Sequence, residues 1–582
     1  MSRTRSVPSV VDRRALLAAV GAVGASAGLG LALGPGSGSA VAAPPTAGRP
    51  AVRRALRAEP GAPTAPAAAP STAGTTLRTV AAPRGSGGYR RLADGPGWSR
   101  VVRSELAAAK SGRTDRRTAL ASFVQFTDLH VVDVQHPLRA EFLRSELISA
   151  FRPQEALSVA GAVSLVERVN GLRGGPVTGA PLGFVMTTGD NTDNNAKSEL
   201  DWFLTAMSGG RITPNTGDPR HYEGVQNSGR KLYWQPDSAL RDADKELGFP
   251  RLDGFLDAAI RSVNSPGLRM PWYSTVGNHD GLPGGCYAPG KDFFADFAVG
   301  GRKLETVARA EAAALWDAVE KGKDPKGKQY EELLRTRTRQ MRRVTPDPLR
   351  APFTPREYLK AHLDPQYAGA GPVGHGYTAA NLETDRLYYS FRISDGVLGI
   401  SLDTTNSGGH YEGSLGAAQF RWLDRTLAAH RDDHVLVFSH HTGKTMRNLR
   451  PDPARPAEKR HGGDEVVALL KRHRNVLAWI NGHSHKNEII PHGTFWEIST
   501  ASHVDFPQLA RVIELVDNHD GTLSLFTTLV ESAAPHRTDF DDLSQTGLAS
   551  LYRELSFNAP GARTSLAGDP GDRNTELLLK RR

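Results

Sequence analysis

The chain has 582 residues, 39% hydrophobic and 23% charged, which is typical of a soluble globular protein with a large core. Its net charge of +10 is uneven: residues 1–43 carry +3, residues 44–95 carry +6 and residues 96–582 only +1. A nearly neutral body argues against a basic polyanion-binding face, while allowing a local patch, and the single cysteine excludes an intramolecular disulfide and a cysteine-based zinc cluster.

The N-terminus has the order of an export signal. Arg13 and Arg14 precede an uncharged stretch over residues 15–33, and Ala40-Val41-Ala42 fits a cleavage site before Ala43. The arginine pair resembles a twin-arginine signal, so residues 1–43 are predicted to engage the twin-arginine export machinery. The product is then exported, to the cell envelope or outside the cell; the alternative is an uncleaved membrane anchor.

Three further segments follow. Residues 44–95 are predicted to form a Pro/Ala-rich linker and N-terminal extension, because their first part has too few apolar side chains to offset the entropy of ordering. Residues 96–535 are predicted to form the folded domain, and residues 536–582 a C-terminal extension.

Short apolar runs alternate with helical patterns along the body. The predicted strands are Ser122–Thr127, Gly183–Thr188, Trp272–Val276, Leu387–Phe391, Val397–Leu402, Val435–Ser439, Val476–Asn481, Thr494–Thr500, Arg511–Val516 and Leu523–Thr528. The predicted helices are Ala156–Asn170, Asn195–Met207, Thr306–Lys321, Gln329–Arg343, Leu415–Ala429 and Asp464–His473. This alternation predicts an α/β layered fold with largely parallel central strands flanked by helices.

Potential metal ligands follow five of these strands. In chain order they are Asp128-Leu129-His130, Gly189-Asp190-Asn191-Thr192-Asp193, Gly277-Asn278-His279-Asp280, His440-His441 and Gly482-His483-Ser484-His485. Ligands bind at the carboxyl ends of strands in such folds. Each motif is weak alone, but the ordered set of carboxylate, imidazole and amide groups predicts a site for manganese, iron or zinc.

The ordered set resembles that of the calcineurin-like metallophosphoesterases, over roughly residues 120–530. Two insertions, at about 208–260 and 281–386, depart from the family pattern, and the second has helical signals that suggest a cap beside the site. The stretch from Thr75 onward, with Asp133-Val134-Gln135 after the first motif and Ser499-Thr500-Ala501-Ser502-His503 late in the chain, looks like a branch of exported actinobacterial phosphoesterases. The resemblance implies a layered sandwich of central β-sheets flanked by helices.

The resemblance also implies residue roles. One metal ion would be held by Asp128, His130 and His485, and a second by Asn278, His440 and His483. Asp190 would bridge the two ions. The choice between His440 and His441 stays open by one position. His279 would face the substrate phosphate and protonate the leaving oxygen or stabilise charge. Further candidates for orienting ligands or lining the pocket are Asp193, Asp280, His441 and His503.

The predicted function is metal-dependent hydrolysis of phosphoesters, with a metal-held hydroxide attacking phosphorus in line. The substrate is predicted to be a phosphorylated small molecule, monoester or diester, with no stable nucleic-acid partner and no disulfide partner. Two alternatives remain: a non-catalytic exported binding protein on the same fold, and a nuclease. The oligomeric state is not predicted.

Overall fold

The computed structural model describes residues 67–581, so the predicted signal peptide, residues 44–66 and Arg582 lie outside the described residues. Its strands are β1 Thr79–Pro83, β2 Leu92–Pro96, β3 Val101–Arg103, β4 Thr118–Phe126, β5 Val185–Thr188, β6 Gly210–Ile212, β7 Val263–Ser265, β8 Trp272–Thr275, β9 Arg302–Leu304, β10 Met341–Arg343, β11 Tyr389–Ser394, β12 Val397–Ser401, β13 Leu415–Gly416, β14 His434–Phe438, β15 Arg460–His461, β16 Val476–Asn481, β17 Glu488–Pro491, β18 Trp496–Ser499, β19 Leu509–Asp517, β20 Thr522–Glu531 and β21 Thr575–Lys580.

Helices connect and cover these strands. They are α1 Ser158–Asn170, α2 Lys197–Ser208, α3 Phe255–Ala259, α4 Asn278–Gly281, α5 Asp292–Val299, α6 Arg309–Glu320, α7 Lys328–Thr336, α8 Pro355–His362, α9 Ala379–Thr384, α10 Ala417–Ala429, α11 Gly463–Arg472 and α12 Gln545–Asn558. No helix within residues 67–581 is long and apolar enough to cross a membrane.

Two large sheets form the centre of the molecule. One has seven strands in the order β3-β21-β20-β19-β4-β5-β8, and the other has six in the order β11-β12-β14-β16-β18-β17. The β4-β5-β8 and β12-β14-β16-β18 segments are parallel. Every residue of β5, β12 and β16 is buried, as expected of parallel strands covered on both faces.

The sheets pack face to face between two helical layers. Phe123 of the seven-stranded sheet and Phe438 of the six-stranded sheet meet edge to face, with ring centroids 5.7 Å apart. Apolar side chains of α1 and α2 cover the outer face of the first sheet, and those of α10 and α11 cover the second. The order helix, sheet, sheet, helix confirms the predicted α/β layered class.

The predicted helix Gln329–Arg343 is wrong in its second half. Helix α7 ends at Thr336, and Met341–Arg343 instead pairs antiparallel with Arg302–Leu304. The side chain of Arg342 forms an ion pair with Glu305, with Nε and Oε1 2.6 Å apart. These non-local contacts outweigh the local helical preference of the segment.

The C-terminal residues 536–582 contribute to the central layers. Strand β21 pairs antiparallel with β20 and parallel with β3, so it is an inner strand of the seven-stranded sheet. Helix α12 packs against α1 so closely that a Cβ atom on Gly161 would lie 2.4 Å from the Tyr552 ring. The segment predicted as an extension therefore completes a sheet and a helical layer.

The interval 281–386 contains helices α5 to α9, and its Phe294, Leu315 and Tyr330 share an apolar cluster with residues of the segment after β4, such as Leu138 and Phe142. Helix α8 shows how the sequence sets these helices. Thr354 accepts the N–H of Glu357, Glu357 accepts the N–H of Thr354, and a proline follows at the first helical position. The interval begins at Gly281, the last residue of α4, beside the candidate site.

Candidate metal centre

The loops after β4 and β5 continue the parallel pairing of their strands. The N–H of Asp128 donates to Gly189 O at 3.0 Å, and the N–H of His130 donates to Asp190 O at 2.9 Å. Asp128, His130 and Asp190 are therefore held beside one another by backbone bonds. The two sheets meet at the same edge, where Nδ1 of His440 lies 2.9 Å from Thr188 O.

Five of the predicted ligands have left-handed backbone conformations. Among residues 67–581, eleven non-glycine residues have positive φ, and five of them are Asp128, His130, Asp190, His483 and His485, with φ between 43° and 61°. Such conformations cost ~1–3 kcal/mol each and concentrate at functional sites. The fold therefore holds these side chains in positions that their own backbone preferences disfavour.

The glycines of the motifs permit close packing around the ligands. A Cβ atom on Gly277 would lie 2.3 Å from both the amide nitrogen and Oδ1 of Asp190. A Cβ atom on Gly482 would lie 1.9 Å from Oγ1 of Thr127 and 2.5 Å from Oδ2 of Asp128. Only glycine fits at these two positions, which explains its place directly before Asn278 and His483.

The predicted first set, Asp128, His130 and His485, converges. One ligand atom from each of the three lies within 4.8 Å of the others, and all three side chains are buried. Nε2 of His485 lies 3.4 Å from Oδ1 of Asp128. Asp128 is oriented by the Thr127 hydroxyl, which donates to Oδ2 at 2.7 Å, and by the N–H of His483.

The predicted second set, Asn278, His440 and His483, converges more tightly. Oδ1 of Asn278 lies 2.9 Å from Nε2 of His440 and 3.1 Å from Nδ1 of His483, and those two nitrogens are 3.1 Å apart. Oδ2 of Asp190 lies 3.1 Å from Nε2 of His440 and 3.6 Å from Nε2 of His130. Asp190 is thus placed between the two sets.

The geometry distinguishes His440 from His441. Nδ1 of His440 meets the Thr188 carbonyl and its Nε2 points into the cluster. Both ring nitrogens of His441 already bond protein oxygens, with Nδ1 2.8 Å from Oγ1 of Thr404 and Nε2 2.9 Å from Tyr411 O. Burial lowers the pKa of His441 to about 3, so it stays neutral near neutral pH.

His279 lies beside the cluster with one nitrogen free. Its backbone N–H donates to Oδ1 of Asp190 at 2.8 Å, and its Nδ1 lies 2.6 Å from Asp193 O. That contact orients Nε2, which is buried and has no hydrogen-bond partner within the described chain. A nitrogen oriented in this way is free to exchange a proton or hydrogen bond with a bound substrate.

The three remaining candidates have different positions. Asp193 accepts from His130, with Oδ1 2.8 Å from Nδ1. Of the two roles expected for Asp280, orienting an imidazole or capping a turn, its contacts fit the second, because its carboxylate accepts backbone N–H groups of Gly277, Asn191 and Thr192. His503 is buried and donates its own N–H to Thr127 O and Asp128 O, and its ring lies against Tyr552 rather than in either set.

Sequence reasoning missed several buried charged residues around the centre. Oδ2 of Asp505 lies 2.7 Å from Nδ1 of His485, and Asp505 in turn pairs with Arg152. Arg139 pairs with Asp193. Burial opposes ionisation of both carboxyl groups, but the arginines and histidines beside them hold the pKa of Asp193 well below its ordinary value and lower the pKa of Asp505. The only local sequence signal for Asp505 was its position two residues after the candidate His503.

The donor set fits divalent cations. Nε2 of His130 and Nε2 of His485 are buried without a hydrogen-bond partner in residues 67–581, and they face the carboxylates of Asp190 and Asp128 at 3.6 and 3.4 Å. Burial opposes charge on His440, but the nearby Asp190 carboxylate raises its pKa to about 9. Buried carboxylates that draw a proton onto an imidazole would equally favour a metal cation.

No family model matches the chain. A curated relative, the manganese-dependent ADP-ribose/CDP-alcohol diphosphatase of Danio rerio, is 32% identical over 77 residues, 13% of this chain. The match spans only 22% of that relative's length.

Two solved structures are also similar to the chain. A dimetal phosphatase from Danio rerio overlaps 71% of this chain and 100% of its own, at 12% identity and a TM-score of 0.34. A purple acid phosphatase from yellow lupin (Lupinus luteus) overlaps 78% and 55%, at 9% identity and a TM-score of 0.28. Both TM-scores are below 0.5.

Proposed function

We propose that the protein hydrolyses phosphoesters at a centre of two metal ions. The observation that carries the proposal is the convergence of seven buried donor side chains from five strand ends on two adjoining sets at the common edge of the sheets. The seven are Asp128, His130, Asp190, Asn278, His440, His483 and His485. The sequence similarity, over 77 residues, to a relative named as a manganese-dependent diphosphatase supports the same function.

The proposed ligand assignment follows the two convergent sets. Asp128, His130 and His485 hold one cation, Asn278, His440 and His483 hold the other, and Asp190 contributes to both. Bound cations would supply positive charge for the phosphoryl oxygens and lower the pKa of water so that a nucleophile forms near neutral pH. The nitrogen, carboxylate and amide donors suit manganese, iron or zinc.

His279 is proposed to serve the substrate rather than a cation. Its Nδ1 is engaged by Asp193 O, so its Nε2 is fixed in direction and available. In that position the imidazole donates a hydrogen bond to the phosphoryl group or a proton to the departing oxygen. The turn Pro283–Gly285 packs against it: a Cβ atom on Gly285 would lie 2.5 Å from Nε2 of His279.

The proposed substrate is a phosphorylated small molecule. The near-neutral net charge of residues 96–582 argues against an extended basic surface that would bind a nucleic-acid backbone. The interval 281–386 begins beside His279 and bounds this side of the site, so we propose that it selects the leaving group.

Turnover of p-nitrophenyl phosphate and bis-p-nitrophenyl phosphate tests the proposal. The full chain should hydrolyse at least one of them with added manganese, lose the activity on treatment with EDTA, and lose it in Asp190→Asn. Asp433→Asn is the matched control, since Asp433 is paired with Arg392 on the surface. Two bound cations without turnover would favour the non-catalytic binding protein, and no bound cation would refute the metal centre.

Export by the twin-arginine route is a separate proposal that rests on residues 1–43. Expression of the full chain in a twin-arginine-competent bacterium should place the protein outside the cytoplasm, and Arg13→Lys combined with Arg14→Lys should retain it. Equal export of the double variant would refute this route.

A further inference from the structure

The two histidines of the first set have matching surroundings. Nδ1 of His130 lies 2.8 Å from Oδ1 of Asp193, and Nδ1 of His485 lies 2.7 Å from Oδ2 of Asp505. In both rings Nε2 points toward the cluster and has no hydrogen-bond partner in the described part of the chain. Each carboxylate therefore orients one imidazole from the side facing away from the cluster.

Each of these carboxylates is held by a buried arginine. Nη1 of Arg139 bonds Oδ2 of Asp193. Nε of Arg152 lies 2.7 Å from Oδ1 of Asp505, and its Nη2 lies 3.3 Å from Oδ2. Arg139 is 4% exposed and Arg152 is 6% exposed. In Asp193 the arginine bonds the oxygen that does not face the histidine. In Asp505 the arginine bonds both oxygens. Each ion pair thus fixes the orientation in which the carboxylate meets its histidine.

One glutamate joins the two arms. Oε2 of Glu155 accepts from Nη2 of Arg139 at 2.6 Å and from the backbone N–H of Arg152 at 3.1 Å. Glu155 is 2% exposed. The neighbouring Gln154 donates from Nε2 to Val504 O at 3.0 Å, which ties this segment to the loop that carries Asp505. Both histidines are therefore oriented from a single buried network.

The second set lacks this arrangement. The outward nitrogen of His440 meets a backbone carbonyl, Thr188 O, at 2.9 Å. Nδ1 of His483 points into the cluster, toward Oδ1 of Asn278. Among the residues that the structure describes, the carboxylate–arginine support therefore serves only the first set.

We propose that Asp505 and Asp193, held by Arg152 and Arg139, are positioning residues for one cation only, the one bound by Asp128, His130 and His485. The inference rests on the proposed ligand assignment. A carboxylate that accepts the Nδ1 proton fixes the imidazole tautomer, leaves the Nε2 lone pair for the cation and increases the basicity of the ligand; loss of such a partner typically weakens metal binding about 10–100-fold.

The test measures manganese binding to the metal-free full chain. Calorimetry gives the affinity of each binding step, and elemental analysis after dialysis gives the number of bound cations. The unaltered chain should bind two cations. Asp505→Asn and Asp193→Asn should each weaken one binding step about 10–100-fold and leave the other unchanged. Arg152→Lys, which keeps a positive charge beside Asp505, should retain more affinity than Arg152→Gln. These two variants also provide a second route if Asp505→Asn does not fold.

Glu531→Gln is the matched control. Glu531 is buried and pairs with His536, with Oε2 3.0 Å from Nε2. The substitution therefore removes a comparable carboxylate–histidine pair outside both sets. Its binding steps should match those of the unaltered chain. Melting temperatures of the metal-free variants separate loss of cation affinity from loss of fold.

The outcomes separate this inference from the proposed function. Two cations bound by the unaltered chain, with both steps unchanged or equally weakened in Asp505→Asn and Asp193→Asn, would overturn the positioning role alone. No cation bound by the unaltered chain would overturn the metal centre, and the positioning role with it. Selective loss of one step would support both.

Discussion

Replacing Gly277 with alanine should inactivate the protein without unfolding it. The new Cβ atom would lie 2.3 Å from the amide nitrogen and Oδ1 of Asp190, whereas ordinary contacts of Cβ atoms are 3.4–4 Å. Relief of this overlap requires a movement of about 1 Å in Asp190 or Gly277. A 1 Å misplacement at a reacting centre costs about 10²-fold in rate, while overpacking a buried site costs about 1–3 kcal/mol of stability.

The assay compares manganese-dependent hydrolysis, manganese content and urea unfolding in Gly277→Ala and Gly183→Ala. Gly183 is the control because its added Cβ atom would lie 3.5 Å from Ser122 O, an ordinary contact. We expect a loss of about 10²-fold in kcat/KM for Gly277→Ala and little change for Gly183→Ala. Full activity and full manganese content in Gly277→Ala would refute the placement of Asp190 at the centre of the site.

His279→Gln should lower kcat about 10²–10⁴-fold with the number of bound cations unaltered, and a lost cation would make His279 a ligand instead. His441→Gln should keep both cations but lower the free energy of unfolding by about 1–3 kcal/mol, because the Thr404 and Tyr411 oxygens lose their partners. Burial lowers the pKa of His136 to about 4, so the unfolded chain takes up a proton that the folded chain refuses. This group alone should lower the free energy of unfolding by ~3 kcal/mol between about pH 6.5 and about pH 4, and urea unfolding of His136→Asn should show a fall that is smaller by that amount.

The sequence was sufficient for the strands that carry the proposed ligands. Each motif is local, and each directly follows an apolar run that is buried in a parallel segment, as with Val476–Asn481 before His483. Parallel strands place their carboxyl ends at one edge, so the convergence of distant motifs could be predicted without knowing which strands are neighbours. The α/β layered class followed from the same alternation.

Other parts of the fold depend on contacts that leave no local pattern. Arg152 and Asp505 are separated by 353 positions and lie in irregular segments, so neither shows the periodicity of a strand or helix. Strand β21 reads as a short apolar run at the end of the chain, and only its pairing with β20 and β3 makes it part of the central sheet. Long-range pairing of this kind can be recognised only once the sheet order is known.

The strained backbone of the site and its regular hydrogen bonds have a common explanation. Asp128, His130 and Asp190 have φ values of 50°, 43° and 50°, yet the N–H of Asp128 and that of His130 still bond the opposite loop at 3.0 and 2.9 Å. The left-handed residues turn their side chains toward the other sheet, and the backbone bonds keep the two loops parallel beyond β4 and β5. The positions of Asp128, His130 and Asp190 are therefore fixed by the pairing of two buried strands. Substitutions that move these backbones, such as those at Gly277 and Gly482, should therefore reduce activity more than substitutions on the surface of residues 281–386.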